Sequence, residues 1–530
     1  MSTVEMHPNR WGDPAAAIPL PEDVRGLIEL AFGLDERAAV EAPDLPAGTL
    51  DESLLVGLRA IVGDDQVLVD DETRRRRTRG KSTPDLLRAR AGDFTDAPDA
   101  VVRPDSHDQI VALLAHAVEH RIAVVPFGGG TCVTGGLAAP SSIRDGYAGL
   151  VSLDLVRMKR LLAVDEISMT ATLEPGLRGP EAEALLAEHD LTLGHYPQSF
   201  EFASIGGFAA TRSSGQSSAG YGRFDAMVVG LTAATPSGEL TLGSSPANAA
   251  GPDLRQLLLG SEGAFGVITS VTVRVRRTPE VKTYDGWRWP SFSDGAAAMR
   301  TLAQAGLLPT VIRLSDESET AINLARPDAL ANEQGGGAAA GGCLMIAGFE
   351  GTPAQVASKH DAVTAMLTGL GGTDLGEEPG QSWVHGRFNA PYLRDSLLDV
   401  GVLVETLETA TFWSNLDRLY ADVTGALEVS LPGAMVLCHI SHVYETGASL
   451  YFTVAAKAGD DPLAQWQVAK TAASDAMIDA GATITHHHAV GTDHKPWLAR
   501  EIGPVGVQAL RAVKDSLDPT GVLNPGVLIP

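Results

Sequence analysis

The residues of this chain best suited to moving a proton are a tyrosine in an apolar run and a later triplet of histidines. Tyr451 lies in Ala448-Ser-Leu-Tyr-Phe-Thr-Val454. Read as a strand, that run puts Tyr451 on the opposite face from Leu450 and Phe452. A phenol titrates near pH ~10, so it is a poor base at neutral pH. It needs a neighbouring cation or a proton relay to act. His486-His487-His488 can be that relay, because imidazoles titrate near pH ~6.5 and suit both proton transfer and phosphate binding. On a regular strand His486 and His488 share a face and His487 does not. An irregular loop escapes that limit. A metal site, with His439 and His442 as further ligands, is the other reading of these histidines. By themselves, Tyr451 is equally a core aromatic and the triplet a polar loop.

Three glycine segments supply a second kind of chemistry: Pro126-Phe-Gly-Gly-Gly-Thr-Cys132, Ser204-Ile-Gly-Gly-Phe208 and Gly260-Ser-Glu-Gly-Ala-Phe-Gly266. A diphosphate needs several backbone N–H groups turned toward it. Consecutive glycines build such a nest and leave no side chain in the way. Thr131, Ser204 and Ser261 can add hydroxyl donors. Neither a strand–GxGxxG–helix unit with a following acidic residue nor a GxxxxGK[ST] loop occurs, which disfavours Rossmann NAD binding and P-loop hydrolysis. Each segment alone is an ordinary turn; the order and spacing of all three make the signal.

The elements that must position these residues are legible in part. Ser106 and Gln109 have capping-box spacing, and Ile110, Leu113, Leu114, Ala117 and Val118 follow with helical spacing. The strand Ile122 to Val125 runs straight into the first glycine segment. Met169, Ala171 and Leu173 alternate with threonines, as does Val-Thr-Val-Arg-Val at 271–275. Pro180 suits the first turn of a helix reaching about His189. From about 281 the character shifts to tryptophans, longer helical stretches and a Gly/Ala tract, Gly335 to Gly342, which reads as a surface loop. Leu393 to Leu407 and Phe452 to Ala456 read as parts of the helices and sheet of a second domain. The expected division is an N-terminal lead-in (1–92) packed on the main body, a mixed domain (93–280), a second domain (281–483) and a C-terminal segment (484–530).

The 530 residues carry a formal charge of −26, 44% apolar content and three cysteines. That charge argues against nucleic acid as the main partner. Cys132, Cys343 and Cys438 are too few for a disulfide framework and wrongly spaced for a metal knuckle. No run of about 18 apolar residues occurs, and neither end carries a secretory, peroxisomal or retention signal, so a cytoplasmic location is expected. Arg74 to Arg77, with Arg79 and Lys81, read as a solvated segment or a basic stripe near an anionic ligand.

These motifs together resemble the vanillyl-alcohol-oxidase type of FAD proteins and, within it, the alkylglycerone-phosphate synthases. The carriers are PFGGGTCVTGG from Pro126, PQSFEFASIGGFAATRSSG from Pro197, GSEGAFGVIT from Gly260, VIRLSDE from Val311, YLRD from Tyr392, TGASLYFT from Thr446, ITHHHAVG from Ile484 and DPTGVLNPG from Asp518. The resemblance covers about residue 93 to the end, with a weaker echo at Asn9-Arg10-Trp11-Gly12. It implies an α+β chain: a two-subdomain FAD-binding domain of the PCMH type and an α+β cap domain over the flavin ring. It assigns Pro126, Phe127, Gly128, Gly129, Gly130, Thr131 and Cys132 to the FAD diphosphate. Gln198, Ser199, Phe200, Glu201, Phe202, Ala203 and Ser204, with Thr211, Arg212, Ser213 and Ser214, would line the isoalloxazine and ribityl portion. Glu262, Gly263, Ala264, Phe265, Gly266, Val267 and Ile268 would hold the adenosine side and the diphosphate. Many relatives carry a flavin-linking histidine where this chain has Thr131, so a non-covalent FAD is expected.

The resemblance further implies Tyr451, with His486, His487 and His488, as proton-handling catalytic residues. Arg394 would bind the substrate phosphate, and Arg313 is a second important arginine near the flavin. Guanidinium forks suit phosphate and carboxylate. The implied reaction exchanges the acyl group of acyl-dihydroxyacetone phosphate for a fatty alcohol. The alternative on the same fold is a flavin-linked oxidase or dehydrogenase of an alcohol or 2-hydroxy acid. The 2-hydroxy-acid enzymes of the wider superfamily carry Gly-His-x-Gly-Asp-Gly-Asn where this chain has Cys438-His-Ile-Ser-His-Val-Tyr-Glu-Thr-Gly447. The carboxylate and amide of that motif are missing, and no metal is assigned. The expected partner is a small-molecule or lipid substrate with a phosphate or carboxylate; peripheral membrane contact and a homodimer stay open.

Overall fold

The described residues build three large sheets in series and a two-stranded ribbon that pairs Leu191–Thr192 with Arg276–Arg277. The computed structural model describes residues 4–17, 19, 20, 22–37, 39, 40, 44–139, 141–324 and 341–530. Most of the Gly335 to Gly342 tract lies outside the described residues. The first sheet has four strands in the order Val67–Leu68, Ala100–Val102, Gly149–Asp154, Ile122–Phe127, the last three parallel. Ile122–Phe127 reads as a continuous apolar run because it is covered on both faces, as inner parallel strands are. Its open edge is capped by the C-terminal segment, where Val124 bridges Leu523. Covering an edge in this way removes an unpaired row of backbone groups.

The second sheet is antiparallel, in the order Leu161–Asp165, Thr170–Leu173, Val267–Arg274, Val228–Thr235, Gly238–Leu242. The third has seven antiparallel strands, ordered Thr373–Gly376, Val281–Trp289, Cys343–Gly351, Val311–Ser315, Met435–Ile440, Gly447–Lys457, Val402–Phe412. Helices cover it. Leu416–Ser430 buries Leu416, Leu419, Val423 and Leu427, the stripe expected of an amphipathic helix on a sheet. Among the described residues no helix is long and apolar enough to cross a membrane.

The helix His107–His120 starts at Ser106, whose hydroxyl accepts from Gln109 N. The reciprocal half of the expected capping box is displaced by one residue, because Gln109 Oε1 accepts from Asp105 N at 2.9 Å. The helix expected from Pro180 spans Gly179–Ala187. The stretch from Leu393 divides into the helix Ala390–Asp399 and the strand Val402–Phe412.

The basic cluster is not a solvated segment. Arg74, Arg77, Arg79 and Lys81 are buried. Arg74 donates to the carbonyls of Pro98 and Pro46, both at 2.7 Å. Arg77 joins Glu5 to the fully buried Asp154, Arg79 pairs with Asp96, and Lys81 Nζ donates to His7 O and Pro8 O. A buried cation is costly unless it is paired, and carboxylates and carbonyls from distant segments pair these four.

The C-terminal segment is fastened by one side chain. Asn524 Nδ2 donates to Gly136 O at 3.0 Å and Glu262 O at 2.6 Å, while Asn524 N donates to Val124 O at 2.8 Å. Asn524→Ala strands two buried carbonyls and is expected to lower stability by about 2–3 kcal/mol. Urea unfolding checks this; a loss below about 0.5 kcal/mol would show that the clasp is incidental.

Candidate active site

Tyr451 sits mid-strand in the cap sheet, with Glu408 opposite it on one neighbouring strand and His439 on the other. The His439 ring stacks on it, centroids 4.7 Å apart at 18°. His488 meets it edge-on at 5.6 Å and His487 lies 6.2 Å away. Burial pushes the phenol up to about 12, opposed by Thr406 and aided by the charge of Glu408. Tyr451 therefore holds its proton at neutral pH and needs an acceptor beside it.

The three histidines occupy an irregular loop after the helix Pro462–Asp479, so the alternation of a strand does not apply. What shapes the loop is Glu408. Its carboxylate accepts from the backbone N–H groups of His486 (2.7 Å), His487 (3.2 Å) and His488 (2.9 Å), and from the Thr485 hydroxyl. Three consecutive N–H groups converging on one anion form a nest. Burial alone would raise Glu408, but His487 first, then His488 and His486, hold it well below the usual carboxylate range. The loop thus folds around a permanent negative charge.

The imidazoles form a chain. Tyr444 Oη lies 2.6 Å from His486 Nε2, and His486 Nδ1 lies 2.9 Å from His487 Nδ1. His487 Nδ1 in turn lies 3.3 Å from Glu408. His442 stacks on His486 at 5.0 Å and touches Ser214 Oγ through Nδ1 at 3.2 Å. Burial pulls His488 down to about 3 and holds His442 and His486 well below their ordinary value. These three rings are therefore neutral at neutral pH and weak bases at rest.

The two arginines have different situations. Arg313 contacts Glu319 and lies 2.9 Å from His439 Nδ1. Burial opposes the ionisation of Glu319, yet Arg313 and then His439 pull it down to about 2. This triad fixes the ring that stacks on Tyr451, so Arg313 acts one layer behind it. Arg394 is 9% exposed and donates NH1 to Lys81 O at 2.9 Å, while its Nε and NH2 have no protein partner. The neighbouring Asp395 does not neutralise it; that carboxylate accepts from Trp11 N at 2.5 Å. Two buried guanidinium donors are left for an anion.

The segments assigned to FAD come together, and the residues present fit it. Pro126 to Cys132 packs on Phe202 to Ser204 so closely that a Cβ at Gly129 would overlap the Phe202 carbonyl. Ser204 caps the helix Ile205–Thr211, and Glu262 accepts from Val490 N and Gly491 N at 3.0 Å each. Arg212 and Glu262 adopt left-handed backbone (φ 52° each), which costs a non-glycine residue and collects at functional sites. Buried polar atoms without partners, Gln198 Nε2 and Ser261 Oγ, lie in or beside these stretches. Ser213 Oγ pairs with His195 at 3.0 Å. Thr211 bonds only a backbone carbonyl, Arg212 bonds backbone carbonyls and pairs with Asp225 at 3.7 Å, Ala264 and Phe265 are core, and Glu201 is exposed. The Cys132 thiol is pushed up to about 12 by burial and then Glu262, which leaves it a poor nucleophile.

Comparison with known proteins agrees with this geometry. The FAD binding domain model matches residues 98–243 and the FAD linked oxidases, C-terminal domain model matches 278–528. A Dictyostelium discoideum alkyldihydroxyacetonephosphate synthase is 33% identical, covering 97% of this chain and 88% of its own. One from Trypanosoma brucei brucei is also 33% identical, over 94% and 84%. A solved alkyldihydroxyacetonephosphate synthase structure, 30% identical, superposes with a TM-score of 0.83 over 98% of each chain.

The chain belongs to the alkyldihydroxyacetonephosphate synthase family.

Its cofactor is FAD, and its fold is the two-subdomain FAD-binding domain with an α+β cap. Within this synthase-family site, sequence reasoning missed Glu408, Tyr444 and Glu319. Glu408 carried one usable signal, a carboxylate inside the alternating run Val402 to Ala410. The others are defined by contacts between distant segments and gave none.

Glu408→Gln removes the anion that gathers the histidine loop. It is expected to destabilise the protein by about 3 kcal/mol or more, read from urea unfolding; a loss below about 1 kcal/mol would mean the loop holds itself. Glu262 gives a pH dependence. Burial pushes its folded pKa from 4.5 up to about 7. The folded protein keeps a proton that the unfolded chain releases, so this group's stabilisation is present below pH 4.5 and is lost as pH rises through about 7. Glu262→Gln mimics the protonated side chain. Between pH 5 and 7.5 it should lose less stability than the native protein, by up to about 3 kcal/mol. Equal losses in both would refute the assignment.

Proposed function

We propose that this enzyme exchanges the acyl group of acyl-dihydroxyacetone phosphate for a long-chain alcohol, forming an alkyl ether and releasing a fatty acid. The observation that carries the reading is Arg394: a buried guanidinium with two unpartnered groups, whose charge acts on Tyr451. A fork of that kind binds a phosphate bidentately. Tyr451 and the histidines handle the proton at the substrate carbon. The phenol arrives protonated, and the His488 ring that meets it edge-on is the group placed to exchange that proton. Arg313 and Glu319 hold His439 against the phenol and fix its orientation.

Pro126 to Cys132, Gln198 to Ser204, Thr211 to Ser214 and Glu262 to Ile268 would hold FAD, without a covalent link because Thr131 follows the glycines. Bound FAD supplies the nucleophilic and electron-accepting ring chemistry of the exchange; the chain supplies placement and charge. The carbon–oxygen bond to the acyl group breaks, one to the alcohol forms, and the alcohol's proton balances the departing acid.

The test incubates purified FAD-loaded enzyme with acyl-dihydroxyacetone phosphate and a long-chain alcohol, and follows fatty-acid release and ether formation. Tyr451→Phe should lower turnover by about 100-fold or more while retaining FAD, and Arg394→Met should raise KM for the phosphate substrate. Anaerobic flavin bleaching by a 2-hydroxy acid or an alcohol, without ether product, would overturn the reading.

A further inference from the structure

Three imidazoles converge against the segment that lines the flavin. His442 follows the strand Met435–Ile440, and His486 and His487 come from the loop gathered by Glu408. One ring nitrogen from each lies within 4.8 Å of the others. Ring centroids are 5.0 Å apart for His442 and His486, 5.0 Å for His442 and His487, and 5.2 Å for His486 and His487.

The groups behind the rings fix which nitrogens face inward. Ser214 Oγ faces Nδ1 of His442; when that nitrogen donates to the hydroxyl, Nε2 is the free lone pair. Tyr444 Oη faces Nε2 of His486, and in the same arrangement Nδ1 is the free lone pair. That atom meets Nδ1 of His487 at 2.9 Å, a separation at which two imidazole nitrogens share one cation, a proton or a metal ion. An oxygen partner on the outer nitrogen is the usual second layer of a histidine metal site, since it sets the tautomer and orients the ring. The ionised Glu408 lies 3.3 Å from His487 and supplies the negative charge that a buried dication requires.

We propose that His442, His486 and His487 form a binding site for one divalent transition-metal ion of the zinc class. Imidazole suits zinc, cobalt, nickel and copper, whereas magnesium and calcium demand oxygen. Three nitrogen ligands leave a fourth position open to water or an oxyanion, as in reactive rather than structural zinc sites. Metal–nitrogen bonds of about 2.0–2.1 Å require the three nitrogens to stand roughly 3.3 Å apart, so the His486–His487 pair opens from 2.9 Å while His442 moves in. Side-chain rotation on an irregular loop provides that movement. The ion displaces the proton shared by His486 and His487.

The test is metal binding by the FAD-loaded protein, in a His116→Gln background that removes the surface pair His116 and His120. Chelator-stripped protein is dialysed against micromolar Co²⁺ or Zn²⁺. Bound metal is measured by atomic emission, and bound Co²⁺ by its visible bands at wavelengths beyond oxidised flavin. The expected result is one ion per chain, bound at least 10-fold more weakly after His442→Gln or His487→Gln, with a rise in melting temperature on metal addition in the parent only. FAD content shows that each variant is folded. Overturning results are a parent that retains no more metal than His442→Gln, and a parent whose metal is retained equally by both variants. Stoichiometry is read without turnover, so failure of the ether-forming reading and failure of the metal site are separate outcomes.

Discussion

A fully buried, permanently ionised carboxylate organises this active site. Glu408 stands on the strand Val402–Phe412 directly across from Tyr451 and collects the N–H groups of His486, His487 and His488. An ionised carboxylate in a protein interior is tolerated only when its lone pairs are filled. Here the filling is done by the loop that carries the reactive rings. The same interaction therefore sets the loop's path, places two imidazoles beside the phenol, and partly offsets the burial that pulls His488 down. It also keeps the phenol protonated at rest, because the Glu408 charge and burial both oppose its ionisation.

The chain is strongly acidic, and its buried cations are mostly consumed by structure. Arg77 and Arg79 meet buried carboxylates, Arg74 meets carbonyls, and Arg313 is held between Glu319 and His439. Arg394 differs: it uses NH1 to hold the Lys81 carbonyl and has Nε and NH2 in reserve. Its helical neighbours do the anchoring instead. Asp395 and Asp399 take up Trp11 N, Arg10 and Arg90, which fixes the helix Ala390–Asp399 against the N-terminal segment. Residues of one helix thus do the anchoring while Arg394 keeps two unpartnered donors.

Local rules made much of this legible. The glycine segments, the Ser106 and Pro180 helix starts, the face of Tyr451 and the motif order all follow from residue type and short spacing. The histidine triplet was readable as a relay only if it left strand geometry, and the structure shows the loop that condition demands. Pairings fixed by sheet register and loop docking were not legible. Glu408 is separated from the amides it collects by about 80 positions, and nothing near residue 408 announces them. Of the two readings of the basic cluster, the solvated one failed for the same reason: a run of arginines looks solvated until the carbonyls of Pro46 and Pro98 and the carboxylate of Asp154 are brought to it. Arg76, Arg77, Arg79 and Lys81 do line a cavity with Gly128 to Gly130.

The site is also a junction that cannot exist before the chain closes. Tyr451 and His439 come from the cap sheet, Ser214 from the FAD-binding domain, and the histidine loop from the segment leading to the C-terminus. That last segment returns to the first sheet, where Leu523 pairs beside Val124 and Asn524 ties Gly136 to Glu262. Glu262 then receives Val490 N and Gly491 N, two and three residues beyond His488. One set of hydrogen bonds therefore links the glycine loop through Glu262 to the histidine loop and on to Glu408. The segments that would cradle FAD and the rings proposed to handle the proton share it, so one docking event sets both geometries.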